Sequence, residues 1–269
     1  GRRRVLVVEH GVVGALAAID HLRATGITPT RPIGAVNFVD EEGARFGVAC
    51  AGSRVITGVL GADRARGLTD RDGTSMAEAM RAAGRDPGTL GRDDETLARI
   101  GTFVELHVEQ GRALVDLGHA VGVGSDIWPH GRWRVDLPGE ANHAGTTRLE
   151  DREDAMLGLA AMIIAARRAA TQHGCVATVG KVNVVPGGVN AIASGATGWL
   201  DARGADADAV RRVVADVGAV VADFDGLVTQ ESWTPTTMFD PALAQQMAAR
   251  LGGVPVIGTG AGHDAGILA

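Results

Sequence analysis

Strand-type and helix-type runs alternate in pairs from Val121 to Ser232, and this pattern limits the fold more than any other in the chain. Val121–Ile127 and Trp133–Leu137 read as strands and Asp151–His173 as a long amphipathic helix. Val176–Val185 and Ala196–Arg203 are two more strands, followed by a helix over Ala207–Val221 and a last strand over Gly226–Ser232. Strands grouped around two helices in this way predict an α+β domain of the split βαβ kind. The flanks read as α/β. Val12–Thr25 has apolar residues at helical spacing, with Gly26 placed as the stop. Ile33–Val39 is short and mostly apolar, the pattern of an interior strand in a covered sheet. Met76–Ala83 and Asp93–Ile100 suggest short helices, Phe103–Val108 a strand, and Glu109-Gln110-Gly111 a turn or helix start. After Pro235 come a helix over Pro241–Leu251, a strand over Val254–Ile257 and a glycine-rich loop. The expected architecture is an α/β domain interrupted by an inserted α+β domain.

Composition narrows the function classes. The chain has 269 residues, enough for one large or two medium domains with real cores. Its net charge of −6, scattered arginines and 3% aromatics without tyrosine give no nucleic-acid footprint. No apolar stretch reaches transmembrane length, and the two cysteines, Cys50 and Cys175, form neither a disulfide framework nor a zinc-ligand pair. A cytoplasmic protein is expected.

Several groups of residues can carry chemistry. The run Ile33–Val39 breaks into Asp40-Glu41-Glu42-Gly43, and ligands of open α/β sheets collect beyond the carboxyl ends of strands. One carboxylate of such a pair can hold a cation while its neighbour moves protons; a solvated acidic turn is the alternative. His107, in Glu105-Leu106-His107-Val108-Glu109-Gln110-Gly111, has a carboxylate two residues away on each side. That suits a metal-ligating imidazole, although a histidine in a strand is more often simply packed or exposed. His143 lies among small residues in Ala141-Asn142-His143-Ala144-Gly145-Thr146-Thr147, which also reads as a turn before a capped helix. Asn190 and Arg203 offer an amide and a guanidinium; Arg203 can grip a carboxylate in two parallel bonds or pair with Asp201. The loop Gly258–Gly266 fits the dinucleotide fingerprint poorly and reads as a strand-to-helix connection carrying His263.

The order and spacing of these motifs resemble the co-catalytic metal aminoacylase/carboxypeptidase superfamily, in its hydantoinase/carbamoylase branch. That branch holds N-carbamoyl-L-amino-acid hydrolases, β-ureidopropionases and allantoate amidohydrolases. The resemblance runs from about Val12 to Ala269 and rests on Asn37–Gly47, Glu105–Gly111, Ala141–Thr147, Asn190 with Arg203, and Gly260–Ala265. It implies a zinc-peptidase-like catalytic α/β domain, residues 1–118 and 235–269, with an inserted ferredoxin-like dimerisation domain, residues 119–234. It further implies a homodimeric amidohydrolase that cleaves a ureido C–N bond of an N-carbamoyl-L-amino acid or allantoate-like substrate, using a metal-activated water. Two divalent ions per subunit are expected, whether zinc, manganese, cobalt or nickel. By family pattern Glu41 is the general base, Glu42 and His107 are metal ligands, and His143 is an oxyanion donor that reaches the partner subunit's site. Asn190, Arg203 and His263 bind substrate.

The chain also departs from the family pattern. A Gly-Ser-His-Leu-Asp-like strand end, a bridging aspartate and a final metal histidine have no counterpart, and His10 is not a substitute. The expectation is a longer protein that supplies them. The alternative is a degenerate dimeric homologue that binds such ligands without hydrolysis.

Overall fold

The computed structural model describes residues 10–269. In chain order the helices α1 (His10–Ala24), α2 (Ala51–Ile56), α3 (Ala62–Gly67), α4 (Met76–Ala82), α5 (Asp94–Arg99) and α6 (Ala113–Leu117) come first. Then follow β1 (Val123–Ile127), β2 (His130–Pro138), α7 (Ala155–His173), β3 (Val176–Val185), β4 (Gly195–Arg203), α8 (Ala207–Ala222) and β5 (Leu227–Thr234). The last elements are β6 (Thr237–Met238), α9 (Pro241–Arg250), β7 (Val256–Thr259) and α10 (Asp264–Leu268). The chain divides into two compact units, one from residues up to 120 together with 262–269, the other from residues 121–261.

The second unit contains the expected α+β sandwich, but without the first strand that the sequence assigned to it, since β1 pairs with β6 and β7 instead. Its four-stranded antiparallel sheet has the order β3-β4-β2-β5, and the chain order βαββαβ matches the split βαβ, ferredoxin-like pattern. Alternation is strict on β4, where Ala196, Gly198, Leu200 and Ala202 are buried between half-buried neighbours. Those residues, with Trp133, Val135 and Leu137 of β2, pack on Met162 of α7 and on Val210, Val213, Val217 and Val221 of α8. Both helices begin on an aspartate whose carboxylate accepts a first-turn N–H, Asp154 from Met156 and Asp206 from Asp208. Gly174, at φ 65°, ends α7 in the left-handed conformation. A smaller sheet, β6-β1-β7, has β7 parallel to β1 and α9 packed on it through Ala244 and Ala248.

The first unit departs from expectation. Among the described residues neither Ile33–Val39 nor Phe103–Val108 enters a β-ladder. The two run near each other, with the Phe38 and Phe103 rings 6.1 Å apart. Period-two alternation survives in the second segment but with opposite sense to a buried strand. Phe103, Glu105, His107 and Glu109 are half-buried, while Val104, Leu106 and Val108 are exposed. A segment becomes strand only when a neighbour supplies its hydrogen bonds, and no described segment does so here. The unit's core lies instead among short helices, where Phe46, Ala51, Val55, Leu60, Ala65 and Met76 pack together. Of these helices, α2 and α3 are too short to leave a legible period in the sequence. Helix α4 opens on a reciprocal capping box, Ser75 with Glu78.

Candidate active site

The acidic turn is built by Asp40. Its backbone sits at φ 52°, and its carboxylate accepts the N–H groups of Arg45 at 3.0 Å and Phe46 at 2.9 Å. Gly43, at φ 65°, completes the turn, since a Cβ there would lie 2.6 Å from the Ala49 nitrogen. The Cys50 N–H, just before α2, donates to the Glu41 carbonyl at 2.6 Å, and Gly52 N–H to the Val39 carbonyl at 3.0 Å. Of the three acids, then, Asp40 serves the backbone, Glu41 is half-buried and Glu42 is exposed.

Burial pushes the Glu41 carboxyl up to about 7, and repulsion from Glu42, Asp264 and Glu105 adds to the rise; only His107 opposes it. Glu105 is also raised, chiefly by burial, although its Oε2 accepts the Ala265 N–H at 2.7 Å. His263 is buried with its Nδ1 3.6 Å from that same carboxylate oxygen. Its ring centre is 5.1 Å from that of His107, and burial, with His107 beside it, lowers its pKa to about 4. The His107 Nδ1 lies 2.7 Å from the Val108 carbonyl, which fixes that nitrogen as the protonated one and leaves Nε2 as a free acceptor. Asp264 is buried too, and its Oδ1 accepts the Ser53 hydroxyl at 2.5 Å.

This unit therefore gathers Glu41, Glu42, His107 and His263, all named from sequence, with Glu105 and Asp264, to which no role was given. The signals for these two were slight. Glu105 is two residues from His107, hence on the same side of the predicted strand, and Asp264 follows His263 directly.

The second unit holds the remaining predicted residues. His143 is exposed and paired by a single bridge with Ala191. Its Nδ1 accepts the Gly145 N–H at 3.0 Å, so the neutral ring carries its proton on Nε2 as an outward donor. The Ala144 N–H donates to the Asn190 carbonyl at 2.9 Å, which joins the two predicted segments. The Thr147 hydroxyl and the Arg152 guanidinium hold the following turn through the carbonyls of His143 (2.9 Å) and Ala144 (2.7 Å). Arg203 ends β4 in a two-bond fork with Asp201, at 2.8 and 2.7 Å, while its Nη1 donates to the Gly260 carbonyl at 2.8 Å. The Asp201 pairing, left open by the sequence, is the one formed. One N–H on each Nη has no such bond among the described residues and remains available to a ligand.

Carboxylates and imidazoles of this kind suit a divalent cation, and the crowding of acids around Glu41 is what a cation would relieve. The fit is one of kind only. Among the described residues no three His, Cys, Asp or Glu side chains are arranged to hold a metal ion. Among them, too, no helix is long and apolar enough to cross a membrane.

Comparison with known proteins supplies the relationship. The chain is 37% identical over 194 residues to an N-carbamoyl-L-amino acid amidohydrolase of Geobacillus stearothermophilus, covering 72% of this chain and 47% of that protein. It is 32% identical over 277 residues to the allantoate amidohydrolase of Escherichia coli K12, covering 97% and 66%. The crystal structure of an amidase of the hydantoinase/carbamoylase family from Burkholderia vietnamiensis superimposes with a TM-score of 0.79 at 29% identity, over 97% of this chain and 65% of that one. The chain thus spans between 47% and 66% of the length of these relatives. The profile of peptidase family M20/M25/M40 matches residues 9–269, a span that takes in the acidic turn, the His107 segment, the His143 turn, Arg203 and the His263 loop. The chain belongs to peptidase family M20/M25/M40 and within it is similar to amidases of the hydantoinase/carbamoylase family.

Proposed function

We propose that the protein to which this chain belongs is an amidohydrolase that cleaves a ureido C–N bond, with an N-carbamoyl-L-amino acid or an allantoate-like compound as substrate. The observation that carries this is Glu41. Its half-buried carboxyl stands beside Glu42, Glu105 and His107, and with no cation present burial holds it up at about 7, so it is a group that can take up a proton and pass it on. Glu41 takes a proton from the attacking water and returns it to the departing nitrogen. Glu42 and His107 would hold divalent ions, two per subunit, with further ligands from outside the described residues; zinc, manganese, cobalt and nickel all suit such donors. Bound, the ions would polarise the carbonyl and make water acidic enough to attack. His143, with its proton on Nε2, donates to the oxyanion, and such a donor typically contributes about 3 kcal/mol to barrier lowering. Asn190 and the uncommitted Arg203 N–H groups hold the substrate carboxylate, and His263 lines the substrate site.

The same proposal includes a homodimer formed through residues 119–234, with His143 serving the partner subunit's site, in a cytoplasmic enzyme. Two features of the second unit support it. Strand β3 is a sheet edge with Val176, Val182 and Val185 exposed, and α7 presents exposed Leu157, Ile163 and Ile164.

Ammonia release by the full-length protein from N-carbamoyl amino acids and from allantoate, measured with metal content, tests the reading. Turnover that depends on bound metal and disappears in Glu41→Gln supports it. The absence of any three-donor group among the described residues favours a second reading, a dimeric homologue that binds these ligands without hydrolysis. Ligand binding without metal or turnover would establish that one.

A further inference from the structure

The active-site description leaves one buried group without a task. Asp264 is 5% exposed, and its two hydrogen-bonding partners are as deeply buried: Ser53 at 0% and Cys50 at 3%. Ser53, the third residue of α2, donates its hydroxyl to Asp264 Oδ1 at 2.5 Å across 211 positions of sequence. The Cys50 thiol donates to the same carboxylate. Burying a carboxylate costs free energy, and hydrogen bonds recover it only where they hold the group in one place. On the other side of the α10 start, the Ala265 N–H is held by Glu105 at 2.7 Å. The first turn of α10 is therefore fastened at two consecutive residues, to α2 through Asp264 and to the His107 segment through Ala265.

His263 immediately precedes these fastenings. Its Nδ1 lies 3.6 Å from the Glu105 carboxylate, and its ring centre is 5.1 Å from that of His107. The α2 end of the fastening also leads back to the acidic turn, because the Cys50 N–H donates to the Glu41 carbonyl. We propose that Asp264, held by Ser53 and Cys50, is a positioning residue that sets His263 relative to the Glu41 turn. The inference rests on the proposed substrate-facing role of His263. Asp264 itself touches no reacting atom; it acts through its neighbour.

The experiment uses full-length protein with 13C-labelled histidine, the His263 ring signal being assigned from its loss in His263→Gln. Ser53→Ala removes the hydroxyl with little change in volume. It is expected to move the His263 signal and to lower kcat on the best ureido substrate by about tenfold to a hundredfold, with KM within about twofold. Asp264→Asn keeps an acceptor oxygen for Ser53 and should fall between wild type and Asp264→Ala in both readouts. If Asp264→Ala does not fold, Ser53→Ala and Asp264→Asn decide the matter. A folded Ser53→Ala protein whose His263 signal is unmoved overturns the proposal, even if its melting temperature drops, because a purely structural bond would do only that. Should the wild type hydrolyse no ureido compound, the proposed function fails, and the His263 signal still decides whether Asp264 positions that ring.

Discussion

Phe46 N–H donates to Asp40 Oδ2 at 2.9 Å, and this one bond closes the turn that presents Glu41 and Glu42. With the Arg45 N–H on Oδ1, it leaves Asp40 as the scaffold of the acidic turn and not one of its reactive groups. Asp40→Ala frees two backbone donors and should cost about 1–3 kcal/mol in urea unfolding. Activity should drop more than tenfold as the glutamates lose their fixed direction, about what a small displacement costs. Asp40→Asn keeps an acceptor oxygen and tolerates the left-handed backbone at φ 52°, so its effect should be smaller in both measurements.

Two groups of the site should give opposite pH dependences of stability in metal-free protein. The Glu41 carboxyl rises from 4.5 to about 7, so between those pH values the folded chain keeps a proton that the unfolded chain has lost. Stability from this group therefore falls as pH rises through that window. His263 falls from 6.5 to about 4, so there the unfolded chain binds the proton that the folded chain refuses, and stability is lost as pH drops through the window. Urea midpoints taken from pH 4 to 7.5 should show Glu41→Gln tilting the curve toward greater stability at high pH. His263→Gln should tilt it the other way. Parallel curves for the two variants would contradict both assignments.

The backbone around Gly139, just past the end of β2, leaves no room for a side chain. A Cβ there would lie 2.7 Å from the Glu153 carbonyl oxygen and closer still to that of Ala193. Backbone on both sides cannot yield as a flexible side chain would, so Gly139→Ala should destabilise the protein by about 1–3 kcal/mol or more. Gly218→Ala is the control. It lies within α8, where a Cβ would meet nothing, and should be neutral or stabilising by up to about 1 kcal/mol. Thermal unfolding of the two variants distinguishes these outcomes.

The proposed dimer can be tested on α7. Ile164 is exposed and borders, with Ile163, Arg167, Arg168 and Thr171, a shallow apolar depression of about 590 Å³. Ile164→Glu leaves the core untouched and should convert a dimer into monomer in sedimentation equilibrium with an unchanged circular dichroism spectrum. A wild-type protein that is already monomeric at micromolar concentration would remove the dimer from the proposal.

The α+β sandwich was legible before any coordinates. The strand Val176–Val185 has the boundaries predicted, β4 and α8 agree to within a residue, and the sheet order follows from the βαββαβ sequence. Here the elements are long, and both helices bury one face and start on their own caps, so the information is local. The first unit was misread in one respect. Ile33–Val39 and Phe103–Val108 have strand composition, but composition supplies no partner, and these segments lack a ladder among the described residues.

The chemistry divides along the same line. The order and spacing of motifs, through the resemblance they carry, named Glu41, Glu42, His107, His143, Asn190, Arg203 and His263 as expected site residues, because a turn, a period of two or a glycine-flanked loop is written in adjacent letters. Folding alone assigned Asp40 to the backbone, committed Arg203 to Asp201 and Gly260, raised Glu41 toward neutrality and joined Ser53 to Asp264 across 211 positions. Burial, charge crowding and long-range hydrogen bonds depend on distance in space, and contacts of that kind leave no periodic trace along a chain.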